Sequence, residues 1–191
     1  MKKIIALVMT IALLLGTVAM AEGSTEKAIN FADVESLAQT HEGQFHELED
    51  RGLSLFLPGN WVEVTPAQEQ LDNGAILALH TDVAETDPAY CTLNGQIVMV
   101  PFDDFIAALE KTGALSSGEH VSLNSIPAYI YELKDTSGIM AKGIAFHANP
   151  DDRTMTFAFA PVTDANADVV SLIMGSMMTT EALEASGLLK K

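Results

Sequence analysis

Residues 126–161 constrain the fold more tightly than any other part of this 191-residue chain. Three apolar runs, IPAYIYEL, GIMAKGIAFHA and RTMTFAFAP, are separated only by the polar turns KDTSG and NPDD. Connections this short join antiparallel neighbours, because a parallel pair needs a crossover of about a dozen residues or more. In the third run Met155, Phe157 and Phe159 take one face, and Thr154, Thr156, Ala158 and Ala160 take the other. The large face demands a substantial covering layer, whereas the small face lets a helix approach closely, so a two-sided sheet is expected. TDANADVVSLIMGSMMTT fits the cover, with Asp164 as the cap and Val169, Leu172, Ile173 and Met177 as the inward stripe.

Upstream, the same reasoning yields more strands. GLSLFLP sets Leu53, Leu55 and Leu57 against Ser54 and Phe56, and Pro58-Gly59-Asn60 supplies a turn before WVEV. There Trp61 and Glu63 share one face while Val62 and Val64 share the other. GAILALHT, PAYCTL and GQIVMV are further strand candidates, the last placed after a turn at Asn94-Gly95. VPFDDFIAALEKTG reads as a helix: Asp103 and Asp104 open it, Lys111 and Gly113 close it, and Phe102, Phe105, Ile106 and Leu109 form one stripe. Residues 24–50 read as a short helix carrying Ile29, Phe31, Val34 and Leu37, followed by a loop. The expected organisation is a signal peptide at 1–21, a polar leader at 22–50, a single α/β domain at 51–180 and a C-terminal tail at 181–191.

The opening MKKIIALVMTIALLLGTVAMA has the three parts of a secretory signal peptide, with cleavage before Glu22. Its apolar core, Ile4 to about Leu15, is shorter than the roughly 20 residues that span a bilayer. A lipoprotein needs a cysteine at the cleavage point, and the single cysteine, Cys91, lies far downstream. The expected location is therefore extracellular or extracytoplasmic, soluble and not lipid-anchored. With one cysteine there is no internal disulfide, so the core alone must stabilise the fold. Acidic residues number 26 against 10 basic, and loss of Lys2 and Lys3 moves the net charge from −16 to −18. Such a surface repels phosphate backbones and anionic lipid, which argues against nucleic-acid and membrane binding. What remains is a solubility device, or an acidic face offered to a basic partner or to cations.

No stretch states a chemistry. Cys91, in AYCTL, has no nearby His or cation to activate it and reads as a small buried hydrophobe. Trp61, opening a strand after a turn, is expected to pack over the sheet end with its indole N–H in water. Sugar binding would need several exposed aromatics, and Tyr90, Tyr129 and Tyr131 lie in strand-like runs elsewhere. DTSG at 135–138 occurs once, in a turn, whereas an aspartic protease needs two carboxylates sharing a proton. Asp164, Asn166 and Asp168 alternate like the start of a calcium loop, but Val169 and Gly175 stand where glycine and glutamate are required. His41 and His46 flank acidic residues and would hold zinc or copper only if that loop folded round the ion. His80 and His147 each end a strand ahead of an acidic loop, so a shared sheet edge would bring them together; His120 stands alone. GALSSG has the wrong spacing for a nucleophile elbow. No catalytic residue, metal ligand or cofactor is assigned.

The order GLSLFLPGNW, a strand with a late histidine, FDDFIAALEKTGA, VSLNSIPAYIYEL, FAFAPVTD and a closing amphipathic helix resembles a group of uncharacterised secreted bacterial proteins of clostridial type. Their pattern resembles the α/β/α fold of PsbP, an extrinsic photosystem subunit, shared with a small Ran-binding nuclear import factor. The likeness covers roughly residues 44–179 and rests on element order, NSIPA and FAFAPVTD. Ser125 stands where a glycine is usual, so the turn before that strand is expected to differ in backbone conformation. The resemblance implies an α+β fold, an antiparallel sheet with helices on both faces, and export, but no activity; folds of this type mostly serve binding and assembly. The expected function is thus an exported non-enzymatic module for an unknown protein or cell-envelope component. A metal or small-ligand carrier is the alternative, and a hydrolase the third.

Overall fold

The computed structural model describes residues 26–48, 51–148 and 153–188. The signal-peptide reading and the NPDD turn lie outside them. The three late runs form β8 (Ile126–Lys134), β9 (Met140–Ala148) and β10 (Arg153–Ala160), each antiparallel to the next. They occupy the middle of an eight-stranded sheet. On one side β7 (Leu115–Leu123) pairs with β8, and the short β1 (Lys27–Ile29) lies parallel to β7. On the other, β10 is followed by β6 (Thr92–Val98), β5 (Ala75–Thr81) and β4 (Trp61–Glu63). A second sheet stacks β2 (Gly43–Leu48), β3 (Leu53–Pro58) and β11 (Met178–Thr179).

Side-chain alternation along β10 sorts the two cores. Met155, Phe157 and Phe159 join Leu53, Leu55 and Leu57 of β3 and Val170, Ile173 and Met174 of α4 (Ala167–Gly175) in the larger one. The small opposite face receives α3 (Phe102–Lys111), whose Phe105, Ile106 and Leu109 pack on Tyr129, Tyr131, Ala141 and Ala145. This is an α+β sandwich with helices on both faces of the sheet. Close approach is built in at Gly143: a Cβ there would lie 2.2 Å from Cζ of Tyr131, whose hydroxyl is 2.7 Å from Thr156 Oγ1. Gly143→Ala is accordingly expected to cost about 1–3 kcal/mol through overpacking, read from the urea midpoint.

Several local expectations are corrected. The loop placed after α1 (Phe31–Thr40) is the strand β2, since Phe45 sits edge-on between Phe31 and Phe56, with ring centroids 5.7 Å from each. Those partners belong to the flanking α1 and β3, outside the stretch whose own pattern reads as a loop. Asn94-Gly95 is no turn but the interior of a continuous β6; Gly95 lies opposite Phe157, and a Cβ would meet that ring at 2.8 Å. Glycine here makes room for an aromatic ring rather than bending the backbone. The closing helix starts at Ala167, not beside Asp164. Asn166 shapes the preceding turn, accepting from Thr163 N–H at 2.9 Å and donating to Pro161 and Tyr90 carbonyls. The helix consequently turns Val170 fully inward, with Val169 only partly covered. Asn124 and Ser125 both adopt left-handed conformations (φ 46° and 69°), giving the two-residue β7–β8 turn without glycine.

Candidate functional site

Helix α3 packs on the β8–β10 part of its face of the sheet and on Val98 at the end of β6; among the described residues, Val62 of β4 and Val64 just beyond it stay exposed on that face. Register identifies what lies there. Val62 is opposite His80, His80 opposite Thr92, and Thr92 opposite Ala160; Ala78 is opposite Asn94, which is opposite Ala158. Val62 and Val64 are 40% and 42% exposed, and Leu71 of the short α2 (Gln68–Asp72) is 43% exposed. Ala78, His80, Thr92 and Asn94 are half-buried. The polar groups are internally engaged: Thr92 Oγ1 donates to the Ala160 carbonyl at 2.9 Å, Asn94 donates to Thr92 Oγ1 at 3.4 Å, and His80 Nδ1 lies 2.8 Å from the Thr81 carbonyl. The His80 ring stacks on Tyr90, with centroids 6.3 Å apart. Burial first, and then the charge of Glu85, push the Tyr90 hydroxyl above its ordinary pKa.

The face is also electrostatically one-sided. Residues 52–110, which supply β3 to β6, α2 and most of α3, contain no Lys or Arg. Because β5 and β6 run antiparallel, the loop with Asp82, Glu85 and Asp87 marks one end of the face. Glu69 and Asp72 of α2, with Asp103 and Asp104 opening α3, mark the other. By register, Arg153 at the start of β10 lies beside that second end, next to Thr154 opposite Val98.

The residues singled out from sequence are dispersed. His147 aligns with Val98 through Thr154, whereas His80 aligns with Thr92, so two strands and most of a strand's length separate them. His41 ends α1 with Nδ1 2.8 Å from the Leu37 carbonyl, and His46 lies in β2. His120 is edge-on to Tyr129 at 5.0 Å and to Phe102 at 6.4 Å. Among the described residues no group of three or more His, Cys, Asp or Glu is placed to hold a metal ion. Asp135 of DTSG organises a hairpin turn: the Ser137 hydroxyl (2.6 Å) above all, and the Ser137 and Ile139 amides, hold its carboxyl below the usual range. Two clefts, of about 460 and 470 Å³, flank α1; the first is built round Phe31, Phe45 and Phe56, the second round Ile130 and Met174 between Lys27 and Lys142.

Trp61 departs from expectation. Its ring meets Phe159 edge-on at 6.3 Å within the larger core, so the indole edge turns inward and Nε1 is buried with no hydrogen-bond partner among the described residues. It anchors the core and offers no platform. Cys91 is fully buried, and burial pushes its thiol up to about 12. Native protein at pH 8 should resist iodoacetamide and react once unfolded. Since the unfolded thiol ionises near 9.0, the contribution of this group to stability is constant below that pH and falls as pH rises toward 12.

Neither a protein-family model nor a curated protein sequence matches the chain. Among solved structures it is similar to the cyanobacterial PsbP (CyanoP) of Synechocystis, with a TM-score of 0.51 and 14% identity, over 86% of this chain and 99% of that one. It is also similar to the Ran-binding protein Mog1p of Saccharomyces cerevisiae (TM-score 0.43, 7% identity, 73% and 96% covered). A third similarity is to LpqN of Mycobacterium tuberculosis, described as involved in cell envelope biogenesis (TM-score 0.44, 11% identity, 78% and 96% covered). The first of these shows the fold, which is PsbP-like. Among the described residues no helix is long and apolar enough to cross a membrane.

Proposed function

We propose that the chain is an exported, non-enzymatic binding module for another protein or a cell-envelope component, of the secreted clostridial type its sequence resembles. The observation that carries the reading is the open β4–β6 face. A sheet that buries aromatic and aliphatic side chains under helices elsewhere leaves Val62 and Val64 in water here, and apolar side chains side by side on one open face are what a partner covers. The layout of residues 1–21 supports export, and the dispersal of the histidines and carboxylates favours binding over hydrolysis.

The test is capture. Tagged protein, cross-linked in envelope and culture fractions of the source cell, should retain the same partner in repeated preparations. Fractions that return only what the bare matrix returns would sink the reading.

A further inference from the structure

We propose that the open β4–β6 face receives a cationic amphipathic helix of a partner protein, laid beside α3 with its apolar stripe on Val62, Val64 and Ala78 and basic residues at both ends. This rests on the reading of the chain as a binding module and names where and what it binds.

Three observations carry it. The first is steric. Helix α3 packs where the sheet offers small residues, namely Ala141, Gly143 and Ala145 of β9. The middle of the neighbouring strip is likewise short-chained, with Ala78, Thr92 and Asn94 flanked by Ala158 and Ala160 of β10 and the longer His80 and Gln96 to either side, so a second helix can lie along it. The second is apolar exposure: Val62 of β4, the last strand of the sheet, and Val64 just beyond it share one side, with Val64 N–H bonded to the Ala78 carbonyl.

The third is charge complementarity. The acids fall at the two ends of the face, Asp82, Glu85 and Asp87 at one and Glu69, Asp72, Asp103 and Asp104 at the other, and the elements between them contribute no Lys or Arg. Strand β5, seven residues long, separates those ends by about 20 Å at a rise of roughly 3.3 Å per residue. A helix covers that distance in about 13 or 14 residues. The partner should therefore carry Lys or Arg at each end of such a helix and leucine-like residues along one stripe between them. Matched charge sets orientation and encounter rate, while the apolar stripe supplies the buried contact.

The probe is a fluorescent 14-residue helical peptide with a leucine stripe and lysines at both ends. Its control is a peptide of the same composition with the stripe scrambled. Titrated into the purified chain, the first should bind saturably at one site, at least about tenfold tighter than the second. Paired Asp82→Lys with Glu85→Lys, paired Asp103→Lys with Asp104→Lys, and Val64→Glu should each weaken it by about tenfold or more. All five positions are exposed, and an unchanged melting temperature confirms that each variant folds. No binding, equal binding of both peptides, or binding indifferent to the three variants would overturn the assignment. The peptide titration reads the face, and partner capture reads the module. A captured partner that ignores all three variants overturns the face and leaves the module standing.

Discussion

Phe157→Ala is expected to destabilise the chain by about 3–5 kcal/mol, and Phe159→Ala by a similar amount. Both side chains are fully buried. The Phe157 ring is edge-on to Phe146 at 6.3 Å and fills the space above Gly95, which has no side chain to move into the cavity. Phe159 is the ring that Trp61 meets, so its loss also removes the support of β4. Chemical denaturation measures the effect directly. A change below about 1 kcal/mol at either position would mean that the site collapses freely, which the close packing around Gly95 contradicts.

The second large effect is expected at Asn124. Its amide donates to the carbonyls of Gly175 (2.9 Å) and Met177 (2.7 Å), and its Oδ1 accepts from Phe31 N–H. One side chain thus ties the β7–β8 turn to the end of α4 and to the start of α1. Asn124→Ala leaves those three partners short and puts alanine at φ 46°, for an expected loss of about 3 kcal/mol or more. Asn124→Gly keeps the backbone conformation without the side chain. It should recover about 1 kcal/mol of that loss and no more. A neutral glycine variant would show that the hydrogen bonds are dispensable.

Much of the frame was legible because its signals are local. Short polar turns enforce antiparallel neighbours, and the alternation of large and small residues along β10 announced two unlike cores, which Phe157 and Thr156 occupy as expected. Helix α3 was readable from its own stripe and its charged ends. The misreadings share a cause: a residue answering to a partner outside its own stretch. Gly95 answers to the ring of Phe157, Phe45 to Phe31 and Phe56, and Ser125 adopts a glycine-like conformation in a turn braced by Asn124. The candidate face was half visible. Val62 and Val64 could be placed on one side of a strand, but only strand order shows that α3 stops short of them. The run without Lys or Arg from 52 to 110 is present in the sequence, yet it becomes a rim only when β5 and β6 set its acids at opposite ends.

The pairing of early with late chain has a kinetic consequence. β3 meets β11 only through Leu53 and Ser54 with Thr179 and Met178, β1 waits for β7, and Val34 of α1 packs on Gly175. Closing loops of that length is slow, and nothing local rewards it beforehand. A polypeptide emerging amino end first cannot complete its smaller sheet until residues 178–179 have appeared. The smaller sheet is therefore the last part to close, whereas the β8–β10 hairpins can pair as soon as they are made.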